Sequence, residues 1–478
     1  MRLIDNTKIS KFAISVISEL QKNDFQAYLV GGCVRDSLAG IEPKDFDIAT
    51  DATPEQVRKI FKASRIIGRR FKLVHVFNSA ELLEVATFRS GNNKTENESN
   101  LIKDESGKIL RDNVWGTLDQ DCYRRDFTIN AMAMSITPND FGDLHDPYNG
   151  VKDLMEKHIV TPLDPDQTFS EDPLRMMRAA YFASGLDLEI DDKCLKSMKR
   201  QSKRISIVSK ERITSEFCKI LATKKPSIGL TILQETGLME FIFPEIHVMY
   251  GMDQIGEWHH KDIFYHTMQV VDNSAQLSEK MELRFAALVH DIAKPNTRRI
   301  DKNKGYTFHG HDAVGERMLN KVSKRMKLSN HLRDYLKKLT LLHLRPIALA
   351  KKEITDSAVR RVMVAAGEDL DDLLTLCRAD ITTKNPKKVK KYMGNFERVE
   401  EKMKDVSEQD KLKFFQSPVR GDEIMKVCGV TEGRIVGQIK VAIEEAILDE
   451  KIDNNYESAY KYFLSIKDTY LENSKKNK

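Results

Sequence analysis

Long apolar runs are missing from this chain of 478 residues. A membrane-spanning helix needs about 20 predominantly apolar residues in a row. None stands here, nor does the start read as a secretory leader, so the expectation is a cytoplasmic chain with no membrane role. Cysteine is sparse and scattered. The six, at positions 33, 122, 194, 218, 377 and 428, form no Cys-x-x-Cys pair, so neither a zinc ribbon nor a disulfide frame is expected. A strong overall charge is lacking too, with a net +5, yet the balance is uneven. Residues 191–225 hold eleven Lys/Arg against four Asp/Glu, which suits either a solvated helix face or contact with a polyanion. One core seldom fills more than about 250 to 300 residues, so several domains are expected.

What is present is concentrated first in residues 28–51. An apolar run, Tyr28-Leu29-Val30, ends in Gly31-Gly32, and a helix start follows at Cys33-Val34-Arg35-Asp36. Glycine lets backbone amides approach an anion, and a helix N-terminus favours negative charge. A short strand then carries Asp45 and Asp47, whose side chains project together if the residues alternate faces. Two adjacent carboxylates repel unless a cation lies between them, and hard oxygen donors with nearby phosphates favour Mg²⁺. The competing reading is a surface turn with two solvated aspartates.

Further along, residues 7–24 have helical apolar spacing, Thr53-Pro54-Glu55 reads as a capped helix start, and strands are expected at 73–77 and 82–88. Glu84 interrupts the apolar run of the second strand. It is either a third carboxylate of the metal site or an edge-strand residue facing solvent. Residues 90–113 are polar and turn-rich and read as a mobile loop. Arg124-Arg125-Asp126 then leads into a small apolar helix; Arg125 and Asp126 can bracket a ribose or simply cap that helix. Asp172 reads as an N-cap before Pro173, three residues from Arg175. That pair offers an acceptor and a fork of donors to a nucleobase edge, or an ordinary cap with an intrahelical ion pair.

Five stretches in order carry a resemblance: Gly31-Gly32-x-Val34-Arg35-Asp36, Asp45-x-Asp47-Ile48-Ala49-Thr50, Glu84-Val85-Ala86-Thr87-Phe88-Arg89, Arg124-Arg125-Asp126-Phe127-Thr128-Ile129-Asn130-Ala131 and Glu171-Asp172-x-x-Arg175-Met176-x-Arg178-Ala179. Over about the first 220 positions the chain resembles the class II tRNA nucleotidyltransferase and bacterial poly(A) polymerase superfamily. The resemblance implies an α+β fold, with a polymerase-β-like head followed by helical neck and body. It implies catalytic Asp45 and Asp47 on Mg²⁺ with Glu84 in support, and nucleotide binding by Gly31, Gly32, Arg35, Arg125, Asp126, Asn130, Asp172, Arg175 and Arg178. RNA, with tRNA foremost, and ATP and CTP are the implied partners. The basic 191–225 stretch, with Val208-Ser209-Lys210-Glu211-Arg212-Ile213, falls in the neck and body.

After a break at Phe243-Pro244-Glu245, a second pattern begins: His266, His290-Asp291, His309, His311, His343 and Asp380 recur through helical segments. Their order resembles the HD phosphohydrolase superfamily and suits one or two divalent ions. His290 and Asp291 are expected on a buried helix, with His266, His311, His343 and Asp380 completing the metal set. His259 and His260 are expected only to flank the entry helix. This part is read as a phosphoesterase or as a catalytically silent RNA-binding platform. The expected division is a head at 1–155, neck and body at 156–255, an HD domain at 256–383 and a helical tail at 384–478. The tail opens on a basic patch of Lys384, Lys387, Lys388, Lys390 and Lys391, is helical to about 465, and frays over 472–478. The segments 43–47, 68–71 and 111–113 resemble poly(A) polymerases, whereas the fused HD region looks like the longer tRNA nucleotidyltransferases. The expectation is CCA addition, with poly(A) addition as the alternative and a phosphohydrolase or RNA-binding scaffold with an inactive head as a further one.

Overall fold

Residues 9–68, 72–90, 101–103, 109–112, 114–137, 140–254, 261–301, 305–349, 355–383, 385–410, 417–431, 433–449 and 451–476 are described in a computed structural model of the chain. The expectations on Arg69, Arg70 and Phe71, most of 90–113, Trp258-His259-His260 and Lys384 lie outside the described residues.

The chain opens with α1 (Lys11–Lys22), held at its start by the Ser10 hydroxyl, which accepts from the amides of Phe12 and Ala13. Its apolar positions Ala13, Val16, Ile17 and Leu20 recur every third or fourth residue and form one buried stripe. Then come β1 (Ala27–Val30), α2 (Gly32–Leu38), β2 (Asp47–Thr50), α3 (Pro54–Ile60), β3 (Ser64–Ile67), β4 (Leu73–Phe77) and β5 (Leu82–Thr87). A capping box between Thr53 and Gln56, with Pro54 in the first turn, starts α3. The hairpin β6 (Leu101–Lys103) and β7 (Ile109–Asp112), then α4 (Leu118–Tyr123), β8 (Ala133–Met134) and β9 (Leu144–His145), continue the head.

Seven strands form one mixed sheet in the order β3-β4-β5-β2-β1-β8-β9. Only β2 and β5 run parallel within it, with Asp47 opposite Glu84; the other pairs are antiparallel. Strand alternation sorts the two faces. Leu29, Ile48, Leu83 and Val85 share a core with α1 and with Val57 of α3. The opposite face carries Val30 and Ala49, packed with Phe88 and Ala133, and at its end Asp47 and Glu84.

After α5 (Gly150–Met155), which still belongs to the head, the helical body follows: α6 (Pro165–Glu171), α7 (Leu174–Leu186), α8 (Asp192–Gln201) and α9 (Lys210–Leu221), then the helix Pro226–Glu235. The buried Met176, Met177, Ala179, Ala180 and Ala183 of α7 admit close neighbours. At Gly229 a Cβ would lie 2.7 Å from Ile220 Cγ2 and 2.9 Å from the Ala180 carbonyl, so only glycine permits that approach.

Contacts divide the chain into two compact units, Met1–Met281 with Val322–Leu328, and Glu282–Lys321 with Ser329–Lys478. In the second unit, Leu342, Val359, Leu373 and Cys377 share a core with Phe396, Val399 and Met403 of the helix Pro386–Asp410. That core crosses the boundary drawn at 383. A smaller core joins the helices Gly421–Cys428, Arg434–Leu448 and Tyr456–Lys476 through Ile424, Ile439, Ile443 and Phe463.

Several local expectations are corrected. Part of the supposed loop 90–113 is the β6–β7 hairpin, because Leu101, Ile102, Ile109 and Leu110 provide short β-forming runs that the polar composition around them obscured. The apolar helix expected after Asp126 is a three-residue 3-10 turn, Thr128–Asn130, and then β8, whose Ala133 and Met134 pair with β1. The strand proper begins at Asp47, leaving Asp45 in its lead-in. Helix α7 begins one residue later than expected, with Pro173 at its N-cap, although the Asp172 carboxylate still accepts from the Leu174 amide at 3.2 Å. The last helix runs from Tyr456 to Lys476, past the limit near 465 that its periodicity suggested.

Candidate functional site

Asp47 starts β2 and Glu84 lies beside it in register on β5, so both carboxylates reach the open face at one end of the sheet. Glu84 is neither buried in the apolar run nor on an edge strand. Its side chain is 51% exposed, and β5 has partners on both sides. The alternation of β5 buries Leu83 and Val85 and turns Glu84 outward, where His75 Nε2 lies 3.4 Å from its carboxylate. Asp47 is exposed at the end of the sheet, yet desolvation by the protein atoms around its carboxyl, then the charge of Glu84 and more weakly that of Asp45, hold it above its usual range, while Arg125 opposes them. This is the electrostatic mark of a cluster that a cation would relieve.

Gly31 sits against this cluster with φ +73°, and a Cβ there would lie 3.1 Å from Arg125 Nη1 and 3.9 Å from Asp47 Oδ2. Any other residue would be strained and would press on the Arg125 guanidinium. Arg125 is anchored by Asp121, at 3.0 Å from Nη2. Arg35 donates to Asn130 at 2.7 Å and to Asp36 at 2.6 Å, and its guanidinium lies 5.0 Å from the Phe182 ring centre. Asn130 in turn donates to Asp126 at 3.0 Å, and Arg178 donates to the other Asp126 oxygen at 2.6 Å. A continuous polar chain thus ties α2 to α7. Although burial opposes ionisation of Asp126, Arg178 and Asn130 outweigh it and hold the carboxyl below its usual range. In this arrangement Arg35, Asn130, Asp126 and Arg178 brace one another.

Next to this brace is a cleft of about 570 Å³ that brings Asp126, Asp172, Arg175 and Arg178 together with Arg89 and Arg212. Asp172 accepts from Arg212 at 2.8 Å, and Arg175 donates to the Arg124 carbonyl at 2.6 Å. Arg89, Arg212 and the buried Glu216 were assigned no role from sequence. The signal for Arg89 is its place two residues beyond β5, five residues after Glu84.

A second donor set lies in the second unit at helix ends. His290 and Asp291 follow the helix Met281–Val289 rather than lying on it, because the turn after Val289 is what swings them together. His311 begins the helix His311–Met326, while His343 and Asp380 close the helices Asn330–Leu342 and Leu370–Ala379. Asp291 lies 3.0 Å from His290 Nε2 and 3.2 Å from His311 Nε2, and Asp380 lies 3.7 Å from His290 Nε2. The donor atoms of Asp291, His311 and His343 fall within 4.8 Å of one another.

Each histidine donates its Nδ1–H to a carbonyl three residues earlier, Ala287 at 2.8 Å, Phe308 at 2.7 Å and Thr340 at 2.7 Å. That bond fixes the tautomer with Nε2 as the inward lone pair, as in a metal ligand. Burial, helped by the neighbouring His290, lowers His343 to about 4, so it is neutral and able to ligate. The donor chemistry fits a divalent metal. Lys294, which sequence reasoning gave no role, reaches Asp291 at 2.6 Å. His309 is exposed, and among the described residues it joins no metal-binding group. His266 is half-buried on the helix Ile263–Leu277 of the first unit.

The mixed sheet with its acidic end and the helical body define a protein with a polymerase-β-like head, joined to an HD domain. Comparison with known proteins makes the class specific. Residues 27–160 match the family described as "Poly A polymerase head domain", 187–249 match "Probable RNA and SrmB- binding site of polymerase A", and 263–383 match "HD domain". The chain is 32% identical over 368 residues to the "Multifunctional CCA protein" of Vibrio campbellii, covering 74% of this chain and 85% of that one. It is 37% identical over 238 residues to "Poly(A) polymerase I" of Haemophilus influenzae, where the match covers 50% of this chain and 52%, about half, of the relative. The chain belongs to the tRNA nucleotidyltransferase and poly(A) polymerase family. Its fold is shared with the Bacillus stearothermophilus CCA-adding enzyme solved in complex with CTP, at a TM-score of 0.64 and 23% identity over 96% of this chain and 98% of that one. It is also shared with the Thermotoga maritima enzyme complexed with tRNA, at 0.56 and 18% over 97% and 96%. Among the described residues, no helix is long and apolar enough to cross a membrane.

Proposed function

We propose that the chain is a template-independent RNA nucleotidyltransferase that adds C, C and A to tRNA 3′ ends from CTP and ATP. The observation that carries the transferase reading is the register of Asp47 with Glu84 across parallel β2 and β5, beside Gly31 and next to the arginine-lined cleft. Asp45 and Asp47 would hold Mg²⁺, with Glu84 in support. Bound there, the ion supplies Lewis acidity to the phosphoryl oxygens and makes an RNA 3′-hydroxyl easier to deprotonate. The hydroxyl oxygen attacks the α-phosphorus, and pyrophosphate leaves. Gly31 gives the room for that approach, and Arg125 places positive charge beside the acidic cluster. Asp172 and Arg175 offer an acceptor and a fork of donors to the edge of the incoming base, a combination that meets cytosine or adenine after small rotations. The arginines of the cleft balance the triphosphate.

CCA addition is favoured because the similarity to the multifunctional CCA protein runs across the head, body and HD regions. The similarities to poly(A) polymerases cover 50% to 64% of this chain, against 74% for that protein. A cytoplasmic setting belongs to the same reading. The donor set of the second unit is read as a divalent-metal phosphohydrolase centre acting on RNA ends or nucleotides. The product ladder tests the transferase assignment. With tRNA lacking its end, addition should stop sharply after three nucleotides and need both CTP and ATP. Long tails from ATP alone on unstructured RNA would make it a poly(A) polymerase.

A further inference from the structure

Asp380 belongs to two structures at once. It faces His290 in the donor set, and it also lines a cavity of about 320 Å³. Cys377 and Thr382 flank it, and Tyr392, Asn395 and Phe396 close the cavity from one face of the helix Pro386–Asp410. Tyr392 and Phe396 are four residues apart, so their rings fall on the same side of that helix. Asn395 accepts from Arg398 through Oδ1, which orients its amide. The Cys377 thiol donates to the His343 carbonyl at 3.1 Å, tying the cavity floor to a second member of the donor set.

Two aromatic rings, an amide and hydroxyls are the groups that recognise a base and a sugar. The volume lies at the small end of ligand pockets, about 300 to 1,000 Å³, and suits one nucleoside. Among the described residues that line it there is no Lys or Arg, so these offer a base and sugar more than they offer a phosphate. The donor set, which shares Asp380 with the cavity and where Lys294 stands beside Asp291, offers it a place. We propose that this cavity holds the nucleoside of a phosphorylated ribonucleoside whose phosphate lies against the His290, Asp291, His311, His343 and Asp380 set. The residues that choose the substrate then come largely from a helix beyond the 263–383 that match the HD family.

The inference rests on the phosphohydrolase reading for its reaction. A water oxygen bonds to phosphorus as the bond from phosphorus to the sugar oxygen breaks. The sugar oxygen takes a proton, and nucleoside and inorganic phosphate are released.

The test is calorimetric binding to the full chain, dialysed against chelator and then with Mn²⁺ restored. The probes are adenosine, 3′-AMP and a short RNA ending in a 3′-phosphate. Tyr392, 39% exposed, can be replaced without opening a core. Tyr392→Ala and Asn395→Ala should each weaken adenosine binding about tenfold with or without metal, while Tyr392→Phe, which keeps the ring, retains it. Mn²⁺ should tighten 3′-AMP but not adenosine, and His290→Ala should remove only that tightening. Stronger binding of the RNA than of 3′-AMP assigns the pocket to a terminal nucleotide, and the reverse to a free one. Adenosine affinity unchanged in both alanine variants overturns the pocket assignment. Pocket-dependent adenosine binding without any Mn²⁺ effect overturns the phosphohydrolase reading and upholds the nucleoside site.

Discussion

The acidic end of the head sheet and the histidine-rich centre of the second unit follow opposite plans. In the head, the donors are carboxylates on and before a strand, open to solvent, with Asp47 strained electrostatically by its neighbours. In the second unit, His290, Asp291 and His343 are at most 2% exposed, and each imidazole is locked by a carbonyl. Open oxygen donors bind Mg²⁺ weakly and complete its shell with water and substrate phosphates. Buried imidazoles with a carboxylate hold a transition metal without substrate. On the proposed reading, the first site would assemble at each turnover and the second would be assembled by folding.

The sharpest way to break that comparison is Asp47→Ala. Nucleotide addition should fall by about a thousandfold or more, ~4 kcal/mol of barrier, while the metal content of the dialysed protein is unchanged. Normal incorporation by this variant, measured with labelled CTP and ATP, would remove the head assignment. The mirror experiment is His290→Ala with Asp291→Ala, which should weaken metal retention by at least about a hundredfold and leave nucleotide addition largely intact. Elemental analysis after dialysis decides it; a wild-type chain that retains no divalent metal contradicts the assembled-by-folding plan.

A third substitution asks whether the head's brace is structural. Arg178→Ala deprives the buried Asp126 of its charged partner and should cost about 2 kcal/mol in urea unfolding. Because the Asp126 carboxyl is held below its usual range, its contribution is complete above the ordinary carboxylate value of about 4 and is lost as pH falls through the folded value. The variant should therefore lose less stability than wild type on acidification below that point. An unaltered acid profile would show that Arg178 does not stabilise the Asp126 carboxylate. The smallest effect is Thr53→Ala at the α3 capping box, about 1 kcal/mol of stability, with both activities unchanged. A functional loss there would mean that the acidic end depends on stability alone, blurring the contrast.

Local order was legible in the sequence wherever neighbouring residues decide it. The stripe of α1, the Thr53 cap, the paired glycines before α2 and the polar interruption at Glu84 are all set by spacing within a few residues. Composition misled where the signal is short. The β6–β7 hairpin hid in a polar stretch, and Ala133-Met134 read as helix although pairing with β1 makes it strand. The donor residues too were visible as types in order, since carboxylates and histidines are scarce on apolar runs. What the tertiary structure alone decided is which of them meet. Parallel pairing of β2 with β5 sets Glu84 beside Asp47, and strand twist and crossover are not written in either segment. The brace from Arg35 to Arg178 joins residues far apart in the chain, as does the convergence of helix ends at Asp291. The cavity beside Asp380 has its wall because the helix Pro386–Asp410 sets Phe396, Val399 and Met403 into one core with Leu342, Val359 and Leu373, a packing that no local pattern specifies.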